Sequence, residues 1–265
     1  MKQFFALYVK ELKAHKVLFL FVLLLIAGMN VYGLLKMANI SQEQIVAQEQ
    51  LGIILKFVLF VMLPINLAKS ILVLSLPFLL AHIFNSEWQS ETHYQMFALP
   101  VPQYTVVLAK VAAVASIGFV GGGIVIGCVY LSMAKVADWL VDVGSVFAVE
   151  RMPFFDFAFI ASLMLVTYMI FIFGVVIGMV GVKFSVKRYR RLAAIASFVV
   201  FLSFSLFALQ GLSVFASFLM PMLPFSHNIG LISIETSVTP YFSIILTGII
   251  FMILGVVMYE KRAEI

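Results

Sequence analysis

The chain has 265 residues, of which 64% are hydrophobic and only 11% charged, with a mean hydropathy of +1.15. A soluble domain carries about 25% charged residues. This composition therefore excludes an ordinary water-soluble domain and predicts an all-α, polytopic membrane protein, with residues 1–265 forming a single transmembrane domain.

Long apolar runs, in place of alternating segments of about ten residues, exclude a transmembrane barrel. The single cysteine, Cys128, excludes an intramolecular disulfide and any multi-cysteine metal site. The net charge of +5 is modest, and no nucleic-acid partner is expected. No cleavable signal-peptide pattern is present, and the first span is expected to act as its own insertion signal.

Residues 1–16, MKQFFALYVKELKAHK, open the chain. Phe4, Phe5, Tyr8 and Leu12 share one helical face, and Lys2, Lys10 and Lys13 lie on another. That pattern predicts an amphipathic helix in the membrane interface, with its lysines toward anionic headgroups. Six spans are expected to follow, at about 17–36, 53–84, 106–133, 154–182, 192–214 and 240–259.

The second apolar stretch is long for one crossing, roughly 48 Å as a helix. It contains Pro64, Asn66, Lys69 and Pro77, which predicts a kinked span whose early turns stand near the outer surface. Segment 215–239 is apolar, has Pro221, Pro224 and Pro240 in or beside it, and carries no Lys or Arg. Short re-entrant or interfacial helices on the extracellular side are expected there. In the third and fourth spans, Gly118 with Gly122, Gly123 with Gly127, and Gly174 with Gly178 have the spacing that lets helix backbones approach.

Lys and Arg set the orientation. With the N-terminus inside, twelve of them fall on inside ends and loops: Lys2, Lys10, Lys13, Lys16, Lys110, Lys183, Lys187, Arg188, Arg190, Arg191, Lys261 and Arg262. Lys36, Lys56, Lys135 and Arg151 fall outside, and Lys69 lies within a span. The expectation is that both termini are cytoplasmic.

The chemistry-bearing motifs are few. There is no phosphate-binding glycine loop ending in Lys-Ser/Thr, no H-E-x-x-H and no G-x-S-x-G. The chain is not expected to be an enzyme or to hold a cofactor or metal. Glu87, Glu91, His82 and His93 have a loose ligand-like spacing, but a solvated loop helix accounts for them as well. Lys69 is the one ionisable residue placed deep in a span. It shares a polar stripe with Asn66 and Ser70, a candidate lining for a translocation path.

The stretch NSEWQSETH, Asn85–His93, is polar and acidic between two apolar runs. Ser86 and Gln89 have capping-box spacing, and Pro100 and Pro102 would end the helix. A short, stiff helix over 85–98 carrying Glu87, Trp88, Glu91 and Tyr94 has the anchors and charges of a docking element.

Here NSEWQSETHYQMFALPVPQYTVVLAK, residues 85–110, resembles the segment after the second span of type-2 ABC transporter permeases. The acid, the leucine–proline turn and the lysine that opens the third span correspond to Glu87, to Leu99 and Pro100 with Val101, and to Lys110. Glu91-Thr92 replaces the glycine–threonine often found after the acid. LYVKELKAHK is similar to the N-terminal helix of that family, and MYEKRAEI to its charged tail.

The resemblance implies a permease subunit of an exporter in a prokaryotic plasma membrane. It would be paired with a second permease copy or a related one, and with separately encoded ATPase subunits that hold ATP and Mg. Residues 85–98 would be the coupling helix, with Glu87, Trp88 and Glu91 at the ATPase contact. The alternative function is a secondary carrier or channel independent of ATP.

Overall fold

A computed structural model describes residues 2–38, 63–89, 102–142, 153–186, 189–219, 224–229, 232–237 and 239–263. In chain order these form α1 (Lys2–Ala14), α2 (Lys16–Ala38), α3 (Leu63–Gln89), α4 (Gln103–Asp142), α5 (Phe154–Ser185), α6 (Arg190–Leu219), β1 (Pro224–Ile229), β2 (Ile232–Ser237) and α7 (Thr239–Ala263).

Among the described residues, five helices are long and apolar enough to cross a membrane, at Lys16–Ala38, Leu63–Glu87, Tyr104–Lys135, Phe154–Ser185 and Tyr241–Glu260. They mark the chain as a multi-pass membrane protein. The fifth expected span coincides with α6, a helix of 30 residues, whose apolar stretch among described side chains is Leu192–Leu206.

Proline marks the helix starts. Pro64 is the second residue of α3, Pro102 and Pro153 immediately precede α4 and α5, and Pro240 is the second residue of α7. At these positions the missing N–H has no intrahelical partner to lose.

Pro77 is different, because it lies inside α3. Its ring nitrogen cannot donate to the carbonyl four residues earlier. That carbonyl, of Val73, instead accepts a hydrogen bond from the Tyr168 hydroxyl of α5. A neighbouring helix thus satisfies the backbone group that proline frees.

The tightest contact joins α5 to α7. A Cβ placed on Gly174 would stand 2.0 Å from the Gly248 carbonyl oxygen, and one on Gly181 would stand 2.5 Å from that of Gly255. The two glycine pairs recur at a spacing of seven, so the backbones touch over two turns. Gly178 serves two contacts, its backbone N lying 2.7 Å from a Cβ placed on Gly255 of α7 and its own Cβ position lying under the Phe201 ring of α6. Of the expected glycine pairs, Gly118 faces Met169 and Leu76, and Gly122 faces Leu165. Gly123 and Gly127 meet nothing within 4 Å, so the second pair brings no described helices together.

The main core is built by α3, α4 and α5, with Leu76, Leu80, Ile83, Val114, Phe173 and Ile177 at its centre. Phe19 of α2 and Tyr259 of α7 close it.

The N-terminal helix is held to the bundle by its side chains. Part of the apolar face of α1 packs against α4. Leu7 packs with Val106 and Ala109 of α4, with Phe4 and Tyr8 beside them. Tyr8, whose partner Ser116 gives its own hydrogen to the Ala112 carbonyl, donates to Ser116 Oγ at 2.8 Å. Phe5 and Val9 stay exposed with the lysines Lys10 and Lys13.

Two expectations are corrected. First, α3 runs unbroken through Gln89, so no helix begins at Ser86. The Ser86 hydroxyl bonds back to the Ile83 carbonyl, as serines inside helices do. Residues 90–98 of the expected coupling helix lie outside the described residues.

Second, where short helices are expected in 215–239, the described residues 224–229 and 232–237 are strands. Helix α6 continues to Leu219, and β1 and β2 form an antiparallel hairpin in which Pro224 pairs with Ser237 and Ile229 with Ile232.

Candidate functional site

Three segments far apart in sequence meet at one end of the bundle. Glu11 lies in the last turn of α1, Glu87 in the last turn of α3 and Lys110 in the second turn of α4. The Lys110 ammonium donates to Glu11 Oε1 at 2.9 Å and also to Glu87 Oε1. The side chains are 1% exposed for Lys110, 3% for Glu11 and 12% for Glu87. Lys110 Nζ also stands 5.8 Å from the centre of the Phe84 ring.

One cation serves two acids, so the triad carries a formal excess of one negative charge. His15, at the junction of α1 and α2, lies beside it. Its Nε2 is 3.8 Å from Glu11 Oε2, and its ring centre is 5.9 Å from that of His82. Burial pushes the His15 imidazole below its ordinary value, and the Glu11 carboxylate opposes that shift only in part. The end of α3 is held a second time by Lys183 of α5, which donates to Asn85 Oδ1.

The chemistry of this cluster is mechanical. A buried ion triad adds little net stability over an apolar replacement, but removing one member strands a charge. It therefore ties α1, α3 and α4 into one relative position, and Lys183 extends the tie to α5.

The expected site residues divide as follows. Glu87 is in the cluster, turned inward onto Lys110. The backbone of Trp88 continues α3, and its side chain lies outside the described residues, as does all of Glu91. Asn66, Lys69 and Ser70 lie in the first two turns of α3 and are exposed. Lys69 therefore stands on the surface of this chain near a helix end.

Lys110 is counted in the sequence as a flanking positive charge and matched to the family's opening lysine, yet it is the centre of the cluster. Glu11 had a signal of its own, since it falls on the same helical stripe as Phe4 and Tyr8, and an acid in an apolar stripe needs a partner.

Comparison with protein-family models, with curated proteins and with solved structures finds no match to this chain.

Proposed function

We propose that the chain is the membrane-spanning subunit of an ATP-driven exporter, similar to type-2 ABC permeases, in a prokaryotic plasma membrane. In this reading α6 is the fifth of six spans. Its 30 residues reach ~45 Å, enough for a hydrocarbon core of about 30 Å. Both termini lie in the cytoplasm by the positive-inside count. A second permease copy completes the path, and separate ATPase subunits carry ATP and Mg.

The observation that carries the reading is the Glu11–Lys110–Glu87 triad. The segments on which the resemblance rests are the N-terminal helix, the acid after the second span and the lysine opening the third. Each contributes one charge to a single buried cluster. A push delivered to residues 85–98 by a closing ATPase pair would reach α4 through Glu87 and Lys110, α1 through Glu11, and α5 through Asn85 and Lys183. The acids of α1 and α3 would thus transmit force inward, while the ATPase touches residues beyond Gln89.

The test is purification of the tagged chain from its native membrane in mild detergent, with mass spectrometry of what accompanies it. An ATPase subunit at roughly equal amount is expected. ATP hydrolysis by that complex should continue, but lose its coupling to transport, in Glu87→Gln. A chain that emerges alone, and transports in liposomes without an ATPase, would make it an independent carrier instead.

A further inference from the structure

Helix α1 stands at the level where two apolar spans begin. One residue, His15, separates its end at Ala14 from the start of α2 at Lys16. Its inward face packs on Val106 and Ala109, in the first turns of the apolar stretch of α4. That packing uses Phe4, Leu7 and Tyr8 and turns the opposite face of α1 outward. Phe5 and Val9 are exposed there with Lys10 and Lys13, and Lys16 and Val17 continue the exposed surface onto the first turn of α2. At the helical period Phe5 and Val9 occupy one flank of the outward face, and Lys10 and Lys13 the other.

In the sequence this segment has mixed charge, because Glu11 stands between Lys10 and Lys13. Folding separates the signs. Glu11 is the single acid in residues 1–38. It is turned inward, 3% exposed, with the Lys110 ammonium on its Oε1. A buried cation thus takes up the only negative charge of the segment. The outer surface presents three ammonium groups and the apolar side chains Phe5 and Val9, with no carboxylate from its own two helices.

A free anion in water would engage the lysines and leave Phe5 and Val9 uncovered. A phospholipid matches both flanks, with its phosphate on the cations and its acyl chains against the apolar side chains. The one-residue link to α2 keeps the surface beside the bilayer.

We propose that the outer face of α1 binds anionic phospholipid of the surrounding leaflet, its headgroups held by Lys10, Lys13 and Lys16 and its acyl chains in contact with Phe5 and Val9. Glu11 makes the site by facing away from it. Lipid and triad then hold the same helix from opposite sides. The proposal does not depend on the exporter reading.

The experiment uses the full chain with Cys128→Ser and a bimane fluorophore attached through Val17→Cys. The chain is reconstituted in phosphatidylcholine vesicles with increasing dibrominated phosphatidylglycerol or, in parallel, dibrominated phosphatidylcholine. Quenching reports the relative association of the two lipids with this surface. Phosphatidylglycerol should be preferred about tenfold or more, since each lysine near a charged surface contributes up to about fivefold. The preference should collapse in concentrated salt.

Changing Lys10→Gln, Lys13→Gln and Lys16→Gln together should remove the preference without moving the thermal unfolding midpoint. Ala6→Glu places an acid on the exposed face and should lower the preference about fivefold. Glu11→Gln should leave it nearly unchanged, because that charge faces Lys110. Equal quenching by the two lipids would overturn the proposal and leave the lysines to an acidic protein partner. A preference that survives loss of the three lysines, or that rises in Glu11→Gln as far as it falls in Ala6→Glu, would overturn it as well.

Discussion

Replacing Tyr168 by phenylalanine removes one oxygen and leaves the ring. In this chain that oxygen supplies the donor that Pro77 denies to the Val73 carbonyl. Hydrogen bonds between membrane helices average only about 0.6 kcal/mol and reach about 1.7. An orphaned buried carbonyl belongs at the upper end, because its loss leaves an unsatisfied group costing about 1–3 kcal/mol. Tyr168→Phe should therefore destabilise by about 1–2 kcal/mol.

The same change in a Pro77→Ala background should cost about 0.5 kcal/mol or less, because alanine restores the helical N–H and the carbonyl is no longer orphaned. The four proteins form a double-mutant cycle, which removes whatever Pro77→Ala does by itself to the bend of α3. Folding would be followed by circular dichroism while SDS is titrated into mixed micelles. A coupling of about 1 kcal/mol is expected. An equal cost of Tyr168→Phe in both backgrounds would refute the link between the proline and the tyrosine.

The charged cluster makes a second prediction. Lys110→Met removes the cation bonded to two buried carboxylates and should destabilise by about 3–5 kcal/mol, while the triple change with Glu11→Gln and Glu87→Gln should recover most of it. The same SDS titration measures both, and an unaffected Lys110→Met would mean the triad holds nothing together.

Gly248→Val should separate α5 from α7, because any side chain there meets the Ile170 carbonyl and the Phe171 Cα at 2.8 Å. Gly123→Ala, which meets nothing within 4 Å, is the matched control, and a similar thermal midpoint for both would contradict the packing described.

Acidification should weaken the fold through His15. Its folded-state value is lowered, so the unfolded chain binds the extra proton first. Stability is then full above the ordinary value of about 6.5 and declines as the pH falls through and below it. The thermal midpoint is expected to drop between about pH 7.5 and 5.5, and to drop less in His15→Gln. An identical drop in that variant would assign the effect to other groups.

Much of the architecture is legible in the chain itself. Apolar runs long enough for a bilayer point to where the helices lie, though α4 runs on to Asp142, past the expected end near 133, and prolines at 64, 102, 153 and 240 mark where four of them start. The hairpin was also legible. Phe225, His227 and Ile229 alternate with Ser226 and Asn228, and Ile232 and Ile234 with Ser233 and Glu235, a period of two that suits strands. The prolines and the overall apolarity of the segment obscured that alternation.

The partners were not legible. Gly174 meets Gly248 and Gly178 lies against Gly255, and Glu11 finds Lys110 across 99 positions. The end of α3 turns Glu87 inward, where the sequence suggested a free docking surface. The reason is common to all three. Lipid tails are as apolar as leucine, so hydropathy separates the membrane from water but not a lipid-facing side chain from a core one. Periodicity says which residues share a face. Only the simultaneous packing of several helices decides what that face meets.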